Sequence, residues 1–124
     1  MDLADYFENT EGTGVLGTAD ADGKVDLAIY ARPHVIDEHT VAFIMADRLS
    51  HDNITANPHA AYLFVEKKQG YHGLRLYLTQ TAEETDPQKI EAIRRKCRKD
   101  SQEAGGQKFL VQFNVEQTRR LVGD

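Results

Sequence analysis

The chain has 124 residues, with 15 Lys and Arg against 20 Asp and Glu, a formal charge of −5, and a single cysteine. That length fits one domain able to bury a core unaided. The lone cysteine excludes an internal disulfide framework and any multi-cysteine metal site, and the acidic balance argues against a general affinity for nucleic acid or anionic membrane. No apolar run approaches transmembrane length, and Met1-Asp2-Leu3-Ala4-Asp5 is acidic where a signal peptide is basic, so the expected location is the cytoplasm.

In chain order, Asp2 to Asn9 places Leu3, Tyr6 and Phe7 at helical spacing and reads as a short amphipathic helix ended by Gly12-Thr13-Gly14. Val15 to Ala19 and Val25 to Ala31 are strand candidates joined by a turn whose Asp22-Gly23 pair is a hairpin signal. Arg32-Pro33 then interrupts the strand pattern, because proline donates nothing to a ladder; His34 to Ile36 resumes pairing before Thr40 to Ala46. The run Thr40 to Ala46 leads through Asp47-Arg48-Leu49-Ser50 into a helix of roughly Ser50 to Ala56. Asn57-Pro58 stops it, since the residue before proline is pushed out of the α region.

Ala60 to Val65 is a further strand. Leu74, Leu76 and Leu78 alternate with Arg75, Tyr77 and Thr79, so leucines face a core while Arg75 and Tyr77 face away from it. Thr81 to Thr85 extends that strand as a polar arm. Asp86-Pro87 starts a third helix with an aspartate N-cap and a proline at the first helical position; Ile90, Ile93 and Cys97 form its apolar stripe and Gly105-Gly106 its stop. Its basic block, Arg94 to Lys99, reads as a solvated face, and Cys97 as a packing residue. Phe109, Val111, Phe113 and Val115 share one face of a last strand. Six mostly consecutive strands with three short helices make the chain mostly β or α+β, and a small, partly closed antiparallel barrel buries one face of every strand while hiding most edges.

Nucleophilic, Rossmann, P-loop and histidine-rich metal motifs are absent: there is no G-x-S-x-G, G-x-G-x-x-G, P-loop lysine or H-E-x-x-H, and His34, His39, His51, His59 and His72 are dispersed. What remains is a set of polar residues at strand ends: Arg32, Arg48, Ser50, His51, Asn53, Tyr71, His72 and Arg75. A strand delivering a guanidinium and a hydroxyl to a helix start is a phosphate cradle in outline, because the first helical N–H groups lack intrahelical partners and the helix dipole favours an anion there. A plain serine cap beside a solvated arginine is the competing reading.

The order of elements, and above all Asn53-Ile54-Thr55-Ala56-Asn57-Pro58 after the strand-to-helix turn, resembles the pyridoxamine 5'-phosphate oxidase-like FMN-binding split-barrel proteins. The resemblance spans nearly the whole chain. It implies a six-stranded antiparallel Greek-key split barrel with peripheral helices, one domain over residues 1–124, and a homodimer with FMN in the clefts between subunits. Carried onto these residues, Ala46, Asp47, Arg48, Leu49 and Ser50 face the FMN phosphate, with His51 and Asn53 next in the helix. Ala28, Ile29, Tyr30, Ala31 and Arg32 run along the isoalloxazine edge and offer mainly backbone groups. Tyr71, His72, Gly73 and Arg75 line the pocket, from the same subunit or its partner.

Relatives commonly carry a lysine near Ser50 and an arginine near Ala28; this chain has neither and leaves Arg48, Arg32 or Arg75 to supply the charge. It also ends at Gly123-Asp124, without the C-terminal substrate-binding segment of vitamin B6 oxidases. The resemblance therefore points to a small FMN-dependent redox protein, with NAD(P)H or a small molecule as electron partner. The alternatives are a noncatalytic electron carrier or sensor, or a haem-binding split barrel with a histidine ligand.

Overall fold

The structure, a computed structural model, describes residues 1–96 and 106–123. Helix α1 (Leu3–Asn9) begins where the Asp2 carboxylate accepts from the Asp5 N–H at 3.1 Å, and it buries Leu3 and Phe7. Strands β1 (Gly12–Ala19) and β2 (Val25–Ile29) form the expected hairpin. In its turn, Asp20 Oδ1 accepts from the Asp22 and Lys24 N–H groups and Gly23 takes a positive φ of 84°.

Among the described residues the count of strands is seven rather than six, because His34–Asp37 is an independent strand, β3. The physical reason lies in the break at Pro33: β2 pairs with β1, whereas the residues after the proline pair with β4 (Thr40–Ala46), at the other edge of the sheet. Helix α2 (Leu49–Ala56) follows β4, then β5 (His59–Glu66), β6 (Gly73–Glu84), helix α3 (Pro87–Lys96) and β7 (Lys108–Arg120). The expected aspartate cap of α3 is present, with Asp86 Oδ1 accepting from the Gln88 N–H at 2.9 Å. Cys97 and the glycine stop at Gly105 lie outside the described residues.

The seven strands form one antiparallel sheet in the order β2-β1-β5-β6-β7-β4-β3, which curls so that one face encloses the core. Leu74, Leu76 and Leu78 are at most 2% exposed, as the alternation requires. Around them Phe7, Tyr62, Phe64, Phe43 and Phe113 meet mainly edge to face, an arrangement favoured by the ring quadrupoles. Packing is tight enough to demand Gly14, where an added Cβ would stand 1.8 Å from the Tyr62 hydroxyl. On the outside of β4 and β7, Ala42 and Leu110 form a smaller cluster with Ile90 of α3, supported by Ile44 and Ile93.

Helix α2 closes the seam of this curled sheet. Its single fully buried apolar anchor, Ile54, is joined in burial by Ser50, His51 and Asn53, and polar groups taken out of water need partners. Asn53 donates to Thr18 Oγ1 of β1 at 3.1 Å, and Asn57 reaches the Asp20 carbonyl at 3.4 Å. On the far side the His51 ring stacks on Phe109 of β7 at 3.7 Å and pairs with Glu83 of β6 at 2.7 Å. One short helix thus ties β1 to β6 and β7.

Candidate functional site

At the end of β4 the chain turns through Arg48, whose N–H donates to the Ala46 carbonyl at 2.9 Å. Arg48 occupies the N-cap of α2 in extended conformation and its side chain makes no capping hydrogen bond. Guanidinium has donors only, so it cannot accept from the first-turn N–H groups as a serine or aspartate cap would. Arg48 and Leu49 are exposed, whereas Ser50, one residue on, is 6% exposed. The helix therefore starts with an exposed cation and a buried hydroxyl.

Tyr30 of the β2 extension completes this corner. Its backbone is pinned from both sides: its N–H donates to the Gly14 carbonyl at 3.0 Å, and the Tyr62 hydroxyl donates to its carbonyl at 3.1 Å. Its ring meets Phe43 edge to face at 5.8 Å, which aims the phenol toward α2. Ser50, Arg48 and, less strongly, Asp26 act on the phenol. Burial pushes the phenol above its ordinary value, against the opposing pull of the Ser50 hydrogen bond and the Arg48 charge, and Asp26 adds to the rise.

The remaining residues singled out in the sequence divide by face. Asp26, Ala28 and Tyr30 share the inner face of β2, because their register partners on β1 include the buried Leu16 and Thr18. Ile29 points to the outer face. Arg75 stands on that outer face too, in the row Ile29, Val15, Leu63, Arg75, Arg119 that crosses five strands. Within one chain, then, Tyr71, His72, Gly73 and Arg75 are not brought to Arg48; Tyr71 is 82% exposed and His72 is exposed.

Two arginines have structural engagements. Arg32 donates to the Phe7 and Thr10 carbonyls at 2.9 and 2.7 Å and so caps the C-terminus of α1. Arg75 donates to the Arg120 and Gly123 carbonyls and fastens the end of β7. His51 and Asn53 are drawn into the seam contacts that hold α2. Arg48 alone of the three arginines proposed to supply charge stands exposed at the helix start.

Sequence reasoning passed over three features. The outer face of β2 is apolar, with Val25, Leu27 and Ile29 68–71% exposed in an alternating stripe; strict alternation within Val25-Asp26-Leu27-Ala28-Ile29 was the available signal. Asp47, His51 and Asp52 converge, their ligand-type atoms all within 4.8 Å of one another, which the dispersal of histidines along the chain concealed. An open cleft of about 460 Å³ begins one residue beyond Tyr30, lined in part by Ala31, Arg32, Thr13 and Glu66.

A family model described as pyridoxamine 5'-phosphate oxidase matches residues 2–121. The chain belongs to the pyridoxamine 5'-phosphate oxidase family. No curated protein matches it. Among solved structures, an FMN-binding protein from Syntrophomonas wolfei subsp. wolfei is similar at 13% identity, with a TM-score of 0.79 and 98% of this chain covered against 84% of that one. HupZ from Group A Streptococcus is similar at 21% identity, with a TM-score of 0.73 and coverage of 96% and 90%. A protein named F420 reductase follows at 15% identity, a TM-score of 0.70 and coverage of 92% and 94%. At these identities the likeness establishes that this oxidase-family chain shares their split-barrel fold. Among its described residues, no helix is long and apolar enough to cross a membrane.

Proposed function

We propose that this member of the pyridoxamine 5'-phosphate oxidase family binds FMN, with the phosphate at the start of α2, and acts as a homodimeric redox flavoprotein. The observation that carries the reading is the corner of Arg48 and Ser50. A helix start whose N-cap side chain accepts nothing, with an exposed guanidinium and the buried Ser50 hydroxyl beside it, is chemically suited to an anion. The fit is donor-rich, since Arg48 would supply charge-assisted hydrogen bonds and Ser50 a neutral one. An open cleft lies beyond the end of β2, lined in part by Thr13, Ala31, Arg32 and Glu66.

The family assignment and the likeness to a protein named as FMN-binding support the choice of cofactor. The apolar stripe on β2 supports the dimer: three large apolar side chains in a row on an edge strand gain by association with a second copy. Arg75, on the same outer face, would then lie near the partner's chain. Bound FMN supplies electron and hydride transfer through its isoalloxazine ring. The chain holds the phosphate, orients the ring along β2, and excludes water by dimerisation.

The test is a visible spectrum of the purified protein before and after addition of FMN, followed by anaerobic addition of NADH or NADPH. Uptake of FMN with a yellow, resolved absorption band is expected, and a colourless protein that takes up none would overturn the reading. Bleaching by a nicotinamide nucleotide would mark a reductase. Bound flavin that neither nucleotide reduces would mark an electron carrier or sensor.

A further inference from the structure

We propose that Asp22 is a site of spontaneous covalent modification, where the side-chain carboxyl closes onto the Gly23 amide and reopens as an isoaspartyl linkage in the β1–β2 turn. The proposal goes beyond the flavin reading and does not depend on it.

The turn holds two aspartates on unlike terms. Asp20 is fixed: its Oδ1 accepts from the Asp22 and Lys24 N–H groups, both at 2.9 Å, and the amide that follows it belongs to Ala21, whose methyl obstructs approach. Asp22 is exposed, and among the described residues no hydrogen bond or ion pair holds its carboxylate. Its successor, Gly23, is exposed too and has no side chain. Nothing beyond its chain neighbours lies within 4 Å of where a Cβ would stand, so the Gly23 amide is open to the neighbouring carboxyl. That N–H donates to the Asp20 carbonyl at 3.1 Å, and a single exposed turn bond of this kind opens long before a sheet does. Other aspartates lack the combination. Asp2, Asp37 and Asp86 accept main-chain N–H groups, and the residue after Asp86 is a proline with no N–H to react.

The reaction needs only water. The Gly23 nitrogen attacks Cγ of the protonated Asp22 carboxyl, the N–Cγ bond forms, and one carboxyl oxygen leaves as water with the amide and carboxyl protons. The product is a cyclic succinimide. Water then opens it at either carbonyl. Attack at Cγ restores aspartate, whereas attack at the main-chain carbonyl breaks its bond to the Gly23 nitrogen and leaves the chain running through Cγ. The isoaspartyl turn has an extra main-chain carbon and the same mass. It draws the Gly23 N–H away from the Asp20 carbonyl, one residue before the contact of Lys24 with Asp20 that leads into β2.

The test is incubation of the full-length folded protein in heavy-oxygen water at mildly acid pH, followed by peptide mapping by chromatography and mass spectrometry. A second peptide of the same sequence is expected, resistant to an aspartate-specific protease at residue 22 and carrying one heavy oxygen there. Asp22→Glu, whose longer side chain closes a ring far less readily, should lose it, and Gly23→Ala should reduce it. An absence of the isoaspartyl peptide from the folded protein would overturn the proposal. So would its formation only in guanidinium-unfolded chain, or an unchanged yield in either variant.

Discussion

The wall of β5 and β6 and the seam of α2 and β2 are built on opposite terms. In the wall, Leu74, Leu76, Leu78, Tyr62 and Phe64 are buried almost completely, and the one polar tip among them, the Tyr62 hydroxyl, donates to the Tyr30 and Ala31 carbonyls. At the seam, α2 buries Ser50, His51 and Asn53, leaves Arg48 exposed at an N-cap it cannot fill, and faces a β2 whose outer side is a bare apolar stripe. The wall is complete within one chain. The seam joins contacts that hold α2, made by His51 and Asn53, to an exposed Arg48 and an apolar stripe on β2 that are suited to a ligand or a second copy.

The contrast predicts a graded set of outcomes. Leu76→Ala should be the most damaging, costing about 2–5 kcal/mol of folding stability through lost burial and a cavity, read by chemical denaturation. Leu27→Asp on the stripe should leave the fold intact and dissociate the proposed dimer, raising its dissociation constant on the order of a hundredfold, since a carboxylate would have to be desolvated at the contact. Sedimentation across a concentration series checks it, and a variant that dimerises like the wild type would show that this face is not the interface. Arg48→Ala should raise the FMN dissociation constant roughly tenfold without changing the melting temperature. An accompanying loss of stability would place Arg48 among the structural residues.

The smallest effect lies at the end of β5, on the rim of the wall. The Glu66 carboxyl is held below its ordinary value of 4.5, chiefly by the hydrogen bond from the Tyr6 hydroxyl at 2.6 Å and further by Lys68. Its folded form therefore binds a proton less readily than its unfolded form. The stability it contributes is fully present above pH 4.5 and is lost as pH falls through the lowered folded value. Glu66→Gln should flatten the decline in stability as pH falls below 4.5. An unchanged acid limb would show that other carboxylates set it.

Arg48 and Arg32 show where reading residues in order stops. Both precede or follow a strand end, both carry the same group, and nothing in the sequence near either says what it meets. Arg32 proves to cap a helix 22 to 25 residues earlier, while Arg48 meets solvent beside Ser50. His51 and Asn53 gave the same difficulty, since their partners Glu83, Phe109 and Thr18 are more than 30 residues distant. The strand-to-helix turn was legible because its signals are local: an apolar run, an arginine and serine, then Asn57-Pro58.

By itself the sequence determined the elements and their faces, because strand alternation, the Asp22-Gly23 turn, the Asp86 cap and the proline stops act within a few residues of one another. Its match to the family model over residues 2–121 also places it in its family. The tertiary structure decided that His34–Asp37 leaves β2 for the opposite edge of the sheet, that Arg32 and Arg75 serve main-chain carbonyls, and that the Tyr30 main chain meets Gly14 and Tyr62. Those outcomes depend on which distant backbone groups the curling of the sheet brings within hydrogen-bond range, and a hydrogen bond is set by position in space rather than by distance along the chain.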